Sequence, residues 1–386
     1  MERYKSLEAY IDGKKVGTLA TYRDHLVAFE YADSWIKEGY AISPRSLPLQ
    51  KKVYIPKIVP FDGTFGVFAD SLPDGWGRLL VDRMLLREHI NPHGIDILNR
   101  LAIVGETGMG ALTYRPVHKI QSEKAQIEYD RLAEECRRIL ETEYSNDLDE
   151  LFALGGSSGG ARPKILTKIN GEDWIVKFPA SLDDPNIGLV EYQYSLCAKK
   201  CGIEMAETRL LPSRQCEGYF GTKRFDRVAS NGRMERIHML SVSAILEVSH
   251  KIPSLDYNTL MVLTLELTKD YSEVEKMYRL MCFNVFAHNR DDHSKNFTFL
   301  YDTEKDGWRL APAYDLTYSN SIGGEHATCI NGNGKDPTLA DILIVADKIG
   351  ISKSKAKQIA EQVQDTVNDE LGKTGILHNM RYTYFR

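Results

Sequence analysis

The chain has 386 residues, 42% hydrophobic and 27% charged, with a formal net charge of −5. That size favours two or three compact units with their own cores, and the balance is that of a globular rather than a disordered chain. The acidic excess argues against binding nucleic acid through bulk charge. No apolar run reaches transmembrane length, so no membrane partner is expected, and Met1-Glu2-Arg3-Tyr4-Lys5 lacks the apolar core of a signal peptide. The six cysteines form no C-x-x-C pair. They read as free thiols in a reducing, hence cytoplasmic, compartment, with Cys197 and Cys201 sharing one helical face.

Residues 7–20 read as a hairpin around Asp12-Gly13, and Val27–Tyr31 as a further strand. Pro44, Pro48, Pro56 and Pro60 mark an irregular stretch. A helix is predicted from Asp74 to Glu88, with Leu79, Leu80, Met84 and Leu85 on its apolar stripe. Gly105 to Leu112 reads as a structural turn that closes a first unit near residue 118. Residues 119–150 are charged and mostly helical, and Leu151 to Lys164 is a Gly/Ser-rich loop. A second hairpin spans Ile165–Ile169 and Trp174–Phe178. It is followed by a helix over Glu191–Lys200 and strands at Thr208–Leu211 and Tyr219–Phe225. From about residue 246 the chain reads as helical. Ser272-Glu273-Val274-Glu275 has the form of a capping box opening a helix towards Ala287, and two helices follow at Thr338–Ile349 and Ser352–Leu371. The expected division is 1–118, 119–245 and 246–386.

The stretch from His288 to Asn296 carries the chemistry, together with Leu310-Ala311-Pro312-Ala313-Tyr314-Asp315. Asp291, Asn296 and Asp315 are the residue types that phosphoryl transfer needs. One carboxylate orients and deprotonates the attacking hydroxyl, while an amide oxygen and a second carboxylate hold magnesium against phosphates. A strand, a turn and a second strand between Asp291 and Asp315 would bring both ends back together. The bland reading is a polar loop rich in turn formers. His288 and His293 match no H-E-x-x-H pattern, and His293 reads as orienting the loop. Lys177 lies within the apolar strand Trp174–Phe178, where a lysine is costly unless it meets an anion or snorkels at a sheet edge. The loop from Gly155 to Lys164 can place backbone N–H groups, those of Gly159 and Gly160 among them, around a phosphate. It is not a P-loop, since Ala161-Arg162 stands where Lys-Ser/Thr is required. Ser157 and Ser158 read as exposed hydroxyls in that loop.

Taken together these residues resemble the HipA family of bacterial serine/threonine kinase toxins over nearly the whole chain. Asp70-Ser71-Leu72-Pro73-Asp74-Gly75-Trp76-Gly77 is similar to that family's "LLPEGW" segment, and Gly108-Met109-Gly110-Ala111-Leu112 to its "GAL" turn. Ser157-x-x-Gly160-Ala161-x-x-Lys164 resembles the S-x-x-G-A-x-x-K loop, whose serine is the family's autophosphorylation site. Lys177 fits the ATP-binding lysine. Lys223-Arg224-Phe225-Asp226-Arg227 fits the "ERFDR" hinge that meets adenine, with Lys223 in place of glutamate. Asp291-x-His293-x-Lys295-Asn296 fits the catalytic loop, and Tyr314-Asp315 the magnesium aspartate.

The resemblance implies an α+β, two-lobed protein-kinase-like fold with an extra N-terminal subdomain and an all-helical C-terminal lobe. It implies ATP and Mg2+ as cofactors, with ATP between the lobes. It implies a protein substrate of the aminoacyl-tRNA synthetase type. It also implies a HipB-like DNA-binding antitoxin, through which the chain reaches DNA indirectly. Two other classes stay open on the residues alone. One is a small-molecule or lipid kinase, whose catalytic loop is similar; the other is a catalytically silent binding module.

Overall fold

In the computed structural model, residues 3–372 are described, apart from Asp24, 118–127, Glu143, Tyr144, Asn146, Ser157 and Asn231. The chain divides into two units, Met1–Gly188 with Leu210–Val248, and Leu189–Arg209 with Ser249–Arg386.

The first unit begins with a five-stranded sheet in the order Val53–Tyr54, Leu26–Tyr31, Lys14–Tyr22, Ser6–Ile11, Thr113–Arg115. The expected hairpin forms because Asp12 (φ 48°) and Gly13 (φ 76°) both take left-handed conformations, the geometry that matches the twist of paired strands. Leu7, Ala9, Ile11, Leu19 and Phe29 are buried beneath it.

The helix Gly75–Arg87 follows its predicted stripe and buries Trp76, Leu80, Val81, Met84 and Leu85. Trp76, Leu80 and Met84 join a core made with Leu132, Cys136 and Ile139 of the helix Tyr129–Leu140. Leu148 and Leu151 of the helix Leu148–Gly155, Ile165 and Val176 of a second sheet, and Phe178 just after its second strand complete it. The glycine-rich loop is therefore shorter than expected. Leu148 and Leu151 have a core to fill, so helix continues to Gly155 and the loop starts at Gly156.

The second sheet runs Lys164–Ile169, Glu172–Lys177, Tyr219–Lys223, Thr208–Leu211. Its first hairpin turns at Asn170-Gly171, and its register sets Lys164 opposite Lys177 and Ile165 opposite Val176.

In the second unit the helix Tyr271–Phe286 is the centre, burying Val274, Met277, Tyr278, Met281, Phe283 and Val285 against the helices Tyr257–Thr268 and Lys353–Val367. Its start corrects the sequence reading. Asp270, not Ser272, is the cap, accepting the Ser272 N–H at 2.8 Å. Glu273 is instead buried, accepting the Leu310 N–H at 2.7 Å and pairing with Lys276 at 2.7 Å. The helices Leu339–Ile349 and Lys353–Val367 stand where expected, the first with a true capping box between Thr338 and Asp341. The helix Ile187–Lys200 begins four residues before the expected Glu191.

This unit is not all-helical. Thr298–Asp302 and Gly307–Leu310 form an antiparallel hairpin with Phe299 opposite Leu310, and Leu255–Asp256 pairs in parallel with Thr328–Cys329. The reason lies in Phe297-Thr298-Phe299-Leu300-Tyr301, a buried, aromatic and β-branched run that suits a strand. Asp302 turns it back by accepting the Glu304 and Lys305 N–H groups at 3.0 and 3.2 Å. Among the described residues no helix is long and apolar enough to cross a membrane, and the six cysteines are free.

Candidate active site

The helix Tyr271–Phe286 delivers the chain to the polar stretch, and the chain leaves helical geometry at His288 (φ 52°). The two adjacent aspartates then part company. Asp291 has a side chain 62% exposed, whereas that of Asp292 is fully buried. Asp292 accepts hydrogen bonds from the Tyr257 hydroxyl at 2.9 Å, His326 Nδ1 at 3.0 Å and the Thr328 N–H at 3.1 Å. Thr328 also donates its hydroxyl to the Asp292 carbonyl. Tyr257 in turn accepts from Asn284 Nδ2, and Asn284 Oδ1 accepts from Asn289 Nδ2, both at 2.9 Å. A buried hub thus holds the backbone from which Asp291 projects. Sequence reasoning missed Asp292, Tyr257 and His326. Their partners lie more than thirty positions apart, and no periodicity links them.

The segment Ser294–Asn296 is a single 3-10 turn. Asn296 Nδ2 donates to the Asp291 carbonyl at 2.8 Å, which leaves Oδ1 as the amide atom able to take a cation. His293 Nε2 stands 4.0 Å from Asp291 Oδ1, and its ring lies 5.5 Å from that of His250.

Asp315 arrives after the hairpin, in a left-handed conformation (φ 54°) that is uncommon outside glycine. The preceding Tyr314 ties it to the loop. Its hydroxyl donates to the Lys295 carbonyl at 2.5 Å and meets the Thr298 hydroxyl at 2.6 Å. The structure therefore brings the Asp291–Asn296 loop and the Asp315 segment together within one unit.

Magnesium takes hard oxygen ligands and commonly only one or two carboxylates from protein. Asn296 Oδ1 and the Asp315 carboxylate suit that demand. Asn289 Oδ1, His293 Nδ1, Ser294 Oγ and Thr317 Oγ1 are buried with no hydrogen-bond partner among the described residues. Orphaned buried polar atoms are what a site for ordered water, an ion or a polar ligand leaves behind.

In the first unit, Lys164 and Lys177 face each other across the first pair of the second sheet, where like charges repel. Lys164 is only 6% exposed, and Lys177 sits over the Phe220 ring at 5.5 Å. The two lysines thus stand at one end of a strand pair, beside the glycine-rich loop.

The loop itself differs from expectation in two ways. Ser158 is buried at 2% exposure and donates its hydroxyl to the Gly155 carbonyl at 2.5 Å, so it is not an exposed acceptor. Ser157 lies outside the described residues. The Gly160 N–H donates to Asp74 Oδ1, while Gly159 is half-buried next to the same carboxylate.

The residues expected to form the hinge make a structural lock. Lys223 Nζ pairs with Glu172. Asp226 is fully buried, bound by Arg224 at 2.7 Å, Arg227 at 2.8 Å and the Gly110 N–H at 2.7 Å. Burial alone would raise its carboxyl, but the Arg224 and Arg227 guanidiniums hold it below the ordinary aspartate value. Arg236 adds bonds to the carbonyls of Glu106, Gly108 and Gly110. The turn Gly105–Leu112 is thus structural, as read, and Phe225 is placed by the lock beside it.

Residues 7–115 match the HipA N-terminal domain and residues 156–371, more than half of the chain, match the HipA-like C-terminal domain. The chain belongs to the HipA family. It is 24% identical over 379 residues to "Putative kinase Y4mE" of Sinorhizobium fredii, covering 87% of this chain and 82% of that protein. Among solved structures it is similar to HipA of Shewanella oneidensis MR-1, from a complex of the toxin–antitoxin system HipA, HipB and its operator DNA. The TM-score is 0.71 at 18% identity, over 95% of this chain and 90% of that one. That likeness is one of fold, a mixed α/β architecture.

Proposed function

We propose that this HipA-family chain is an ATP-dependent serine/threonine-protein kinase of the toxin type. The observation that carries the reading is the Tyr314 tie, which holds the Asp315 segment against the loop bearing Asp291 and Asn296. Asp291, exposed on a rigid base, positions the acceptor hydroxyl and takes its proton. Asn296 Oδ1 and Asp315 are the groups that would hold Mg2+, which when bound neutralises charge on the phosphates. Lys164 and Lys177 answer the ATP phosphates with their opposed ammonium groups, together with backbone of Gly159 and Gly160. Lys223 and Phe225 contribute backbone to adenine. His293 steadies Asp291 from 4.0 Å, and Lys295 offers its carbonyl to Tyr314 and its charge to the same loop.

The finer parts of the reading belong to it as well. Ser157 is the autophosphorylation site. The substrate is a protein of the aminoacyl-tRNA synthetase type, the partner a HipB-like DNA-binding antitoxin that brings the chain to DNA, and the compartment the cytoplasm. Residues 1–118, 119–245 and 246–386 serve as N-terminal subdomain, nucleotide-binding lobe and catalytic lobe.

The test is intact-mass and phosphosite analysis of wild type and Asp291→Ala after incubation with Mg-ATP, alone and with cell lysate. Phosphate on Ser157 or on lysate proteins with the wild type alone supports the reading. Phosphorylation of small molecules or lipids only would move the chain to another kinase class. Wild type that neither binds nor turns over Mg-ATP would make it a silent binding module.

A further inference from the structure

The glycine-rich loop is held by the start of the helix Gly75–Arg87. The Gly160 N–H donates to the carboxylate of Asp74, and the Gly160 carbonyl accepts the Trp76 N–H at 3.0 Å. The two backbones lie flush. A Cβ on Gly75 would collide with the Gly160 carbonyl, and one on Gly77 with the Ser158 carbonyl. Trp76 Nε1 fixes the same helix to the strand after the loop, through the Lys164 carbonyl at 3.1 Å. This clasp is built from four consecutive residues, Asp74-Gly75-Trp76-Gly77, and each of them touches the loop or its strand.

The chemistry at its centre is at odds with an open phosphate site. A glycine-rich loop attracts phosphate because its N–H groups point at the anion with no side chain in between. Here a carboxylate already occupies the Gly160 N–H, and it sits beside Gly159 as well, with Asp74 Oδ1 at 3.2 Å from where a Gly159 Cβ would stand. The Lys164 ammonium lies 2.5 Å from where a Gly160 Cβ would stand. Asp74 therefore presents to the loop the same kind of oxygen that a phosphate would, with the same sign of charge. The two anions cannot share one N–H and repel each other near it.

We infer that Asp74 is a positioning residue that competes with the nucleotide's phosphates for the glycine-rich loop, so that the N-terminal part of the chain sets ATP affinity through Gly160. This rests on the kinase reading above. Three consequences follow from charge alone. Removing the carboxylate's charge while keeping its oxygen tightens binding. The gain grows with the number of phosphates on the ligand. A ligand with no phosphate does not sense the change.

The experiment is calorimetric titration of the full chain, wild type and Asp74→Asn, with Mg-ATP, Mg-ADP and adenosine. The Asn side chain keeps an oxygen for the Gly160 N–H, so the clasp is retained without its charge. The expected result is about tenfold tighter Mg-ATP, a smaller gain for Mg-ADP and no change for adenosine. Asp74→Ser, a neutral hydroxyl at the same position, gives the same comparison of charge if the Asn variant does not fold. Equal or weaker Mg-ATP binding by these variants, with the wild type binding normally, overturns the inference and leaves the kinase reading standing. A wild type that binds none of the three ligands overturns both.

Discussion

The hydroxyl of Tyr314 reaches the backbone carbonyl of Lys295 at 2.5 Å, so the residue before Asp315 is fastened to the residue before Asn296. The same hydroxyl meets Thr298 at 2.6 Å, at the start of the hairpin that separates the two segments. One phenol thus bridges a sequence separation of nineteen positions. Positioning of this kind matters more to a rate than to stability, since misplacing reacting groups by about 1 Å costs about a hundredfold in rate. Tyr314→Phe is expected to lower phosphoryl transfer by about tenfold or more, while costing about 1 kcal/mol in denaturant unfolding. A variant with wild-type turnover would remove Tyr314 from the site.

Asp291 and Asp292 are neighbours with opposite expected phenotypes. Asp291→Ala should abolish transfer and change unfolding by only about 0.5 kcal/mol, because the side chain is exposed and Asn296 is anchored to the Asp291 backbone. Asp292→Ala strands the Tyr257 hydroxyl, His326 Nδ1 and the Thr328 N–H in a dry interior. It should cost about 3 kcal/mol or more. Urea unfolding of the two variants side by side decides this, and a larger loss for Asp291→Ala would reverse the assignment.

Lys164 stands opposite Lys177 in the first strand pair. Lys164→Met is expected to weaken Mg-ATP by about tenfold or more while leaving melting within about 0.5 kcal/mol of wild type. Weaker binding with melting nearly unchanged would mark the pair as a phosphate site. A drop in both would mean that Lys164 is structural.

His238 is buried, and its Nε2–H donates to the Ile42 carbonyl at 2.8 Å. Burial pushes its pKa down from the ordinary 6.5 to about 4, partly offset by that bond. The unfolded chain therefore takes up a proton between about pH 6.5 and pH 4 that the folded chain refuses. Stability is full above the unfolded value and falls as pH drops through this window, by up to about 3 kcal/mol. Melting between pH 7 and pH 4 should show this loss, and His238→Gln should flatten it. An unchanged profile would assign the acid sensitivity elsewhere.

Much of this architecture could be read from the chain. Asp12-Gly13 and Asn170-Gly171 demand left-handed turns, and the period-2 patterns around them admit only hairpins. The stripe through Leu80 and Met84 demands a buried helix face. The strand, turn and strand expected between Asp291 and Asp315 form as Thr298–Asp302 and Gly307–Leu310, which is at odds with the all-helical lobe the resemblance implied; Phe297–Tyr301, apolar at every position but one, leads into the first strand. Such a run suits a buried strand as well as a helix until its partner is known.

By itself the sequence determined which chemistry was available, since residue type and spacing fix what Asp291, Asn296, Asp315 and the two lysines can donate or accept. Only the tertiary structure decided how that chemistry is supported. It set Asp292 inward and Asp291 outward, turned Ser158 away from solvent, and laid Asp74 on the Gly160 N–H. The physical reason is range. Local pattern governs dihedrals and faces over a few residues, whereas hydrogen bonds such as Asp74 to Gly160 and His326 to Asp292 join positions that meet only once the chain has folded.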